Sequence, residues 1–156
     1  MAFTRLSDVS IDTEASQFIG SIVLIQNEGS NFGVLDASLA CCALESRSLL
    51  LGERIWAGEQ MAALVLLASG TISQKLAPRL VSLVQEFAAF KPDLPHYLVA
   101  VGACATSGGP YFDSPTIVAG LDKLGLTCDL YIPGCPPRPS EIAAGLTRLM
   151  NERVRP

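Results

Sequence analysis

Cys41 and Cys42 stand side by side ahead of Ala43-Leu44-Glu45, Cys104 follows Gly102-Ala103, and Cys135 lies inside Pro133-Gly134-Cys135-Pro136-Pro137. Thiolates are soft ligands that suit iron–sulfur clusters and zinc better than Mg²⁺ or Ca²⁺. Four thiols in Gly- and Pro-rich loops match the four thiolates that an iron–sulfur cube takes. Glycine lets backbone approach a bulky group closely. Proline fixes the direction of the chain and keeps a helix from starting through the ligand. Zinc sites usually draw on spaced pairs such as C-x₂-C. Neighbouring Cα atoms are only ~3.8 Å apart, which is awkward around one small ion, whereas adjacent thiolates can take different irons of a cube. Ordinary buried thiols are common too, so cluster, zinc and free thiol all stay open on the cysteine pattern alone.

The elements that would position these residues read as alternating strands and helices. Phe18 to Ile25 is apolar and β-branched, a strand candidate, and Asn27 to Asn31 reads as a loop. Asp36 or Ser38 is placed to cap helical turns carrying Leu44 to Leu51. Ala62 to Ser69 reads as a fully buried strand ended by Gly70. Leu76, Leu80, Leu83, Val84 and Phe87 then recur at helical spacing, with Pro78 near the start. Tyr97 to Ala103 is a second buried strand, Ser114-Pro115 opens a predicted helix to Leu124, Asp129 to Ile132 is a third strand, and Ser140 caps a helix to about Arg153. Such alternation predicts a parallel sheet with crossover helices, whose ligands gather beyond the carboxyl ends of the strands. Gly70-Thr71, Cys104 and Cys135 each follow a predicted strand end, so their loops should open on one edge.

The chain has 156 residues, 11 basic and 15 acidic, for a net charge of −4. Its length suits one domain: residues 1–17 read as an irregular arm and 18–156 as a single α/β domain. The acidic balance argues against nucleic acid, which needs a basic face. Only 17% of residues are charged, against about 25% in typical soluble domains, which predicts large interfaces with partner chains. No apolar run approaches the ~18 to 20 residues of a spanning helix, and the start of the chain, with Asp8, Asp12 and Glu14, has no signal-peptide pattern. A cytoplasmic setting follows, where clustered cysteines more often bind metal than pair as disulfides.

Leu39-Ala40-Cys41-Cys42-Ala43-Leu44-Glu45, Gly70-Thr71 with Lys75-Leu76-Ala77-Pro78, Gly102-Ala103-Cys104-Ala105 with Gly108-Gly109, and Asp129 through Pro139 around Pro133-Gly134-Cys135-Pro136-Pro137 occur in this order. Together they resemble the B-type [4Fe–4S] subunit of respiratory complex I, the NADH–quinone oxidoreductase, a family homologous to the small subunit of [NiFe] hydrogenases. The resemblance runs from about Asn31 to Arg153. It implies a flavodoxin-like three-layer α/β sandwich with a mainly parallel sheet. It also implies one [4Fe–4S] cluster held by Cys41, Cys42, Cys104 and Cys135, the terminal relay passing electrons to quinone at the junction with a large hydrogenase-like subunit. Glu45 matches the acidic residue after the tandem pair, placed on a proposed proton route. Further partners implied are a ferredoxin-like iron–sulfur subunit and membrane-embedded subunits, with the chain peripheral on the cytoplasmic face of the membrane. Leu39 stands where the hydrogenase branch has its first cysteine, so the adjacent pair favours the quinone branch. One segment departs: Trp56-Ala57-Gly58-Glu59-Gln60-Met61-Ala62-Ala63 replaces the family's Arg-x-Ser-Pro-Arg-Gln-Ala-Asp, next to the quinone interface. That leaves the small subunit of an energy-converting membrane-bound [NiFe] hydrogenase-type complex as the alternative.

The remaining reactive residues carry less. Cys128 has no ligand position in the resemblance and reads as a buried free thiol. His96, the one histidine, reads as a surface or capping residue, and no motif supports a catalytic set around it. Thr71 and Lys75 fall short of a phosphate loop, since G-x-x-x-x-G-K-[ST] is missing. Tyr111 and Phe112 are placed to pack over the Cys104 loop or against a partner.

Overall fold

The computed structural model describes residue 18 and residues 20–154; the proposed N-terminal arm, 1–17, lies outside the described residues. Its strands are β1 (Ile22–Asn27), β2 (Ser30–Ser38), β3 (Arg54–Ile55), β4 (Ala63–Ser69), β5 (His96–Val101) and β6 (Leu130–Ile132). Its helices are α1 (Ala40–Leu50), α2 (Ala77–Ala89), α3 (Ala103–Ser107) and α4 (Pro139–Arg153). The strands form one sheet in the order β3-β1-β2-β4-β5-β6. β2, β4, β5 and β6 run parallel, while β1 pairs antiparallel with both β2 and β3. This is the flavodoxin-like sandwich, with an antiparallel hairpin occupying one edge.

The central parallel strand is apolar on both faces because both faces are covered. β4, Ala-Leu-Val-Leu-Leu-Ala-Ser, is buried at every residue. Its alternate residues Leu64, Leu66 and Ala68 enter a core with Leu80 and Phe87 of α2. Ala63, Val65 and Leu67 enter the opposite core with Leu50 of α1 and Ile142, Leu146 and Leu149 of α4. Burying one such Leu or Ile fully contributes about 1.5–3 kcal/mol, so this central strand ties the three layers together.

Several expectations are corrected. The loop expected at Asn27–Asn31 shortens to a hairpin turn: Glu28 and Gly29 both take positive φ, +47° and +84°, as a type I′ turn needs, and β2 starts at Ser30. Asp36 and Ser38 therefore belong to a strand. Asp36 Oδ1 accepts the Ser38 N–H at 3.1 Å, and α1 begins after Leu39 without a side-chain cap. The helix expected from Ser114 to Leu124 does not form. Its backbone is committed elsewhere: Gln74 N–H donates to Thr116 O and Val118 N–H to Ile72 O, both at 2.8 Å, leaving one 3₁₀ turn at Leu121–Leu124. α4 opens two residues early, at Pro139 with Arg138 rather than Ser140 as its N-cap, and Glu141 Oε2 accepts the Arg138 N–H at 2.7 Å in the manner of a capping box. The β5 strand ends at Val101, which frees Cys104 to sit in the first turn of α3.

Candidate metal centre

The parallel register lines up four strand ends. Ser38 pairs with Ser69, Ser69 with Val101, and Val101 with Ile132. Three residues past this row come Cys41, Ile72, Cys104 and Cys135. Adjacent strands lie ~4.8 Å apart, so the loops after β2, β5 and β6 emerge side by side on one edge. Backbone hydrogen bonds then stitch them: Leu39 N–H donates to Ser69 O at 3.0 Å, Gly102 N–H to Ile132 O at 2.8 Å, and Ala103 N–H to Gly134 O at 2.8 Å. The last bond joins the residue before Cys104 to the residue before Cys135.

Side chains meet within this frame. The Cys42 sulfur lies close to the Cys41 thiol, to Cys104 and to the Gly70 N–H. Burial and the neighbouring Cys41 and Cys104 push the Cys42 thiol up to about 11. Cys42 and Cys104 are buried, while Cys41 and Cys135 are exposed. The site is thus anchored in the protein on one side and open to the surface on the other.

Glycine makes room for the sulfurs. A Cβ on Gly102 would lie 2.6 Å from Cys42 Sγ, and one on Gly109 would lie 3.1 Å from Cys104 Sγ. At Gly70 it would strike Leu39 O at 2.1 Å, so only glycine brings this N–H against Cys42. A thiolate set with a close-approaching backbone and an aimed N–H fits an iron–sulfur group, whose sulfurs take such hydrogen bonds. Among the described residues, no three His, Cys, Asp or Glu side chains gather as ligands of one metal ion. A cube gives each thiolate its own iron and asks for wider spacing than zinc does.

Glu45 is half-buried on α1, one turn beyond Cys41 and so on the same side of the helix. Leu44 flanks it at 73% exposure, and Phe112, after the Cys104 loop, is 65% exposed. Both are large apolar residues facing outward around the centre. Tyr111 is exposed as well.

The other residues singled out lie away from it. Cys128 is buried ahead of β6, its thiol pushed up to about 11 by burial. His96 is half-buried, with Nε2 2.7 Å from Phe90 O, the C-cap of α2, and its ring packs edge-on against Phe87 at 5.2 Å. It is a capping residue. Lys75 is exposed in the turn before α2. The departing segment closes on itself: Glu59 Oε2 accepts the Ala57 N–H at 2.8 Å, Arg54 pairs with Glu59 at 3.1 Å, and Trp56 Nε1–H donates to Glu59 O at 2.9 Å. Surface grooves of about 370 Å³ between β6 and α4 and about 340 Å³ beside the β1–β2 turn have no cysteine in their lining.

A hydroxyl group beneath Cys42 escapes sequence reasoning. Ser38 Oγ lies 3.0 Å from Ser46 Oγ, both buried, and Ser69 is buried next to them in register. The available signal was a serine closing an otherwise apolar buried strand.

Comparison with known proteins gives the kinship. The family described as NADH ubiquinone oxidoreductase, 20 Kd subunit, matches residues 28–149. The NADH-quinone oxidoreductase B-type subunit of Rubrobacter xylanophilus is 36% identical over 129 residues, covering 78% of this chain and 49% of its own length. Its counterpart of the same description from Clostridium beijerinckii is 36% identical over 134 residues, covering 81% of this chain and 76% of its own. The chain thus spans about half the length of the first relative. A solved structure of the membrane-bound sulfane sulfur reductase, an archaeal respiratory membrane complex, aligns at 33% identity and a TM-score of 0.48 over 56% of this chain and 46% of that one. With the family match spanning most of the described residues and every quoted motif from Leu39 onward, the chain belongs to the NADH ubiquinone oxidoreductase 20 Kd subunit family.

Proposed function

We propose that this chain is the electron-transfer subunit of a complex-I-like, membrane-associated oxidoreductase, and that Cys41, Cys42, Cys104 and Cys135 hold one [4Fe–4S] cluster within an α/β domain spanning 18–156. The observation that carries this is the meeting of Cys42 with Cys41 and Cys104, on loops bonded to the one bearing Cys135. When bound, the cluster supplies one-electron chemistry. The chain's own residues do the rest. Four thiols give up their protons on coordination, so metal loading is linked to pH. The cost of ionising Cys42 among other thiols is reversed by the positive charge of the irons. The Gly70 N–H and the glycine-lined backbone orient the sulfurs and keep water off the inner half of the site.

The exposed half, rimmed by Leu44, Tyr111 and Phe112, is suited to cover by a partner. In this reading that partner is the large hydrogenase-like subunit, with quinone bound at the junction as electron acceptor. A ferredoxin-like iron–sulfur subunit is the donor, and membrane-embedded subunits anchor the assembly, leaving this chain peripheral on the cytoplasmic face. Among the described residues no helix is long and apolar enough to cross a membrane. Glu45, beside Cys41, is positioned to relay protons to the acceptor.

A second reading rests on the self-closed turn at Trp56–Gln60, which lacks the family's arginines and aspartate at the quinone side. There the chain is the small subunit of an energy-converting [NiFe] hydrogenase-type complex, and the neighbouring large subunit carries nickel-binding cysteine pairs. The test of the cluster itself is elemental analysis of the anaerobically purified complex. About four irons and four labile sulfides per chain are expected, lost on Cys135→Ala. Zinc in place of iron, or intact thiols with no metal, overturns the proposal.

A further inference from the structure

Ser69 closes β4 beside the cysteines. Its Oγ is the one buried side-chain polar atom among the described residues without a hydrogen-bond partner, on a residue only 2% exposed. A buried hydroxyl left unpaired is costly, and native interiors rarely keep one without cause. Its surroundings point to the cause. The pleat sets Ser69 on the same face as Val65 and Leu67, the face that packs against Leu50 of α1. Its neighbour in register, Ser38, is already bonded to Ser46. Ser46 and Cys42 lie one turn apart on the buried face of α1. The residue after Ser69, Gly70, has its N–H close to the Cys42 sulfur.

We infer that Ser69 is a positioning residue for electron affinity: its hydroxyl donates a hydrogen bond to the Cys42 thiolate once the four cysteines hold a cluster. The inference rests on the cluster reading above. In the metal-free chain Cys42 carries a thiol, a weak acceptor. Coordination removes that proton and leaves a charged sulfur buried where a donor counts most. Ser38 spends its hydroxyl proton on Ser46, whereas Ser69 is the buried hydroxyl here with no partner of either kind. Reduction adds negative charge to the group, and a donor at a ligating sulfur favours the more negative state. Ser69 therefore makes the cluster easier to reduce.

The test uses the intact complex carrying Ser69→Ala, Ser69→Val or Ser69→Thr. Iron and sulfide per chain are measured first, then the midpoint by redox titration followed by electron paramagnetic resonance. All variants are expected to keep the metal. Ala and Val should shift the reduction equilibrium roughly tenfold toward the oxidised form, about 59 mV lower for a one-electron couple. Thr, which has the shape of Val with the hydroxyl restored, should return the wild-type value. Unchanged midpoints in metal-replete Ala and Val variants overturn the inference and leave the cluster reading standing. Loss of the cluster from both also overturns it, by making Ser69 a purely structural residue. A wild-type complex without iron fails the cluster reading itself, and that result is visible before any variant is made.

Discussion

Gly102→Ala isolates the close approach on which the centre depends. Gly102 sits at φ +88°, ψ 165°, a region occupied almost only by glycine, where another residue costs of order 1–3 kcal/mol. The new methyl would also lie 2.6 Å from Cys42 Sγ and 3.4 Å from Gly134 O. The first distance is too short for any carbon–sulfur contact, so either Cys42 moves or the loop before Cys104 does. Strain alone predicts a melting temperature lower by roughly 2–12 °C, taking about 2–4 °C per kcal/mol for a chain of this size. Gly125→Ala is the control. Gly125 also has positive φ, +73°, but nothing lies within 4 Å of its Cβ position, so it should cost about 1–2 kcal/mol and leave the metal untouched. Iron per chain, the paramagnetic signal of the reduced centre and a thermal melt are read on both variants. Gly102→Ala is expected to lose most of its iron or show a displaced signal, beyond what its melting temperature explains. A Gly102→Ala protein with full iron and an unaltered signal would refute the cradle described here.

Cys128 offers a pH test. Burial raises its thiol from 9.0 to about 11, so the fold favours the protonated form. The stability this contributes is complete below pH 9 and is lost as pH rises toward 11, at up to about 1.4 kcal/mol per unit. Urea midpoints between pH 9 and 11 should therefore fall less steeply in Cys128→Ala than in the parent; equal slopes contradict the assignment. In the same metal-free chain at pH 8, about one Cys128 in a thousand is thiolate, so alkylation followed by mass spectrometry should label exposed Cys135 well before Cys128. Ile142, fully buried between α4 and the sheet, should cost about 2–5 kcal/mol on change to Ala, seen as a lower denaturation midpoint. Glu59→Gln removes an exposed ion pair with Arg54 and should leave both the denaturation midpoint and the iron content nearly unchanged.

The parallel core was legible because its code is local. Ala62 to Ser69 is apolar at every step until its last residue, so a doubly covered strand was the natural reading, and Leu80, Val84 and Phe87 fixed the face of α2 by spacing. β2 was missed because Ser30-Asn31-Phe32-Gly33-Val34-Leu35-Asp36 mixes polar turn formers with core residues, and its strand state is settled by pairing with β1 and β4. The absent helix after Ser114 shows the opposite failure. Ser-Pro is a good start signal, yet the carbonyls and amides from Thr116 to Val118 bond to Ile72 and Gln74, partners more than forty positions away in sequence and invisible to any local rule. His96 was readable as a cap, but the carbonyl it caps, Phe90 O, was not.

The centre itself depends on register more than on motif. Each cysteine motif marks only a loop, and three loops separated by 63 and 31 residues, counting Cys41 to Cys104 to Cys135, have no local reason to meet. What brings them together is that Ser38, Ser69, Val101 and Ile132 end their strands in one row and that each sulfur-bearing loop leaves with the same three-residue step. A slip of one residue in any of these strands would exchange its two buried faces. It would also move its cysteine by ~3.3 Å along the strand axis, enough to take the sulfur out of reach of its neighbours. The largely apolar pattern of β4 and β5 tolerates such a slip on hydrophobic grounds, since both faces of each are mostly buried. Register must therefore be held by polar particulars at the strand ends. Leu39 N–H to Ser69 O, Gly102 N–H to Ile132 O and Ala103 N–H to Gly134 O are those particulars, and they lie within two residues of the cysteines they align.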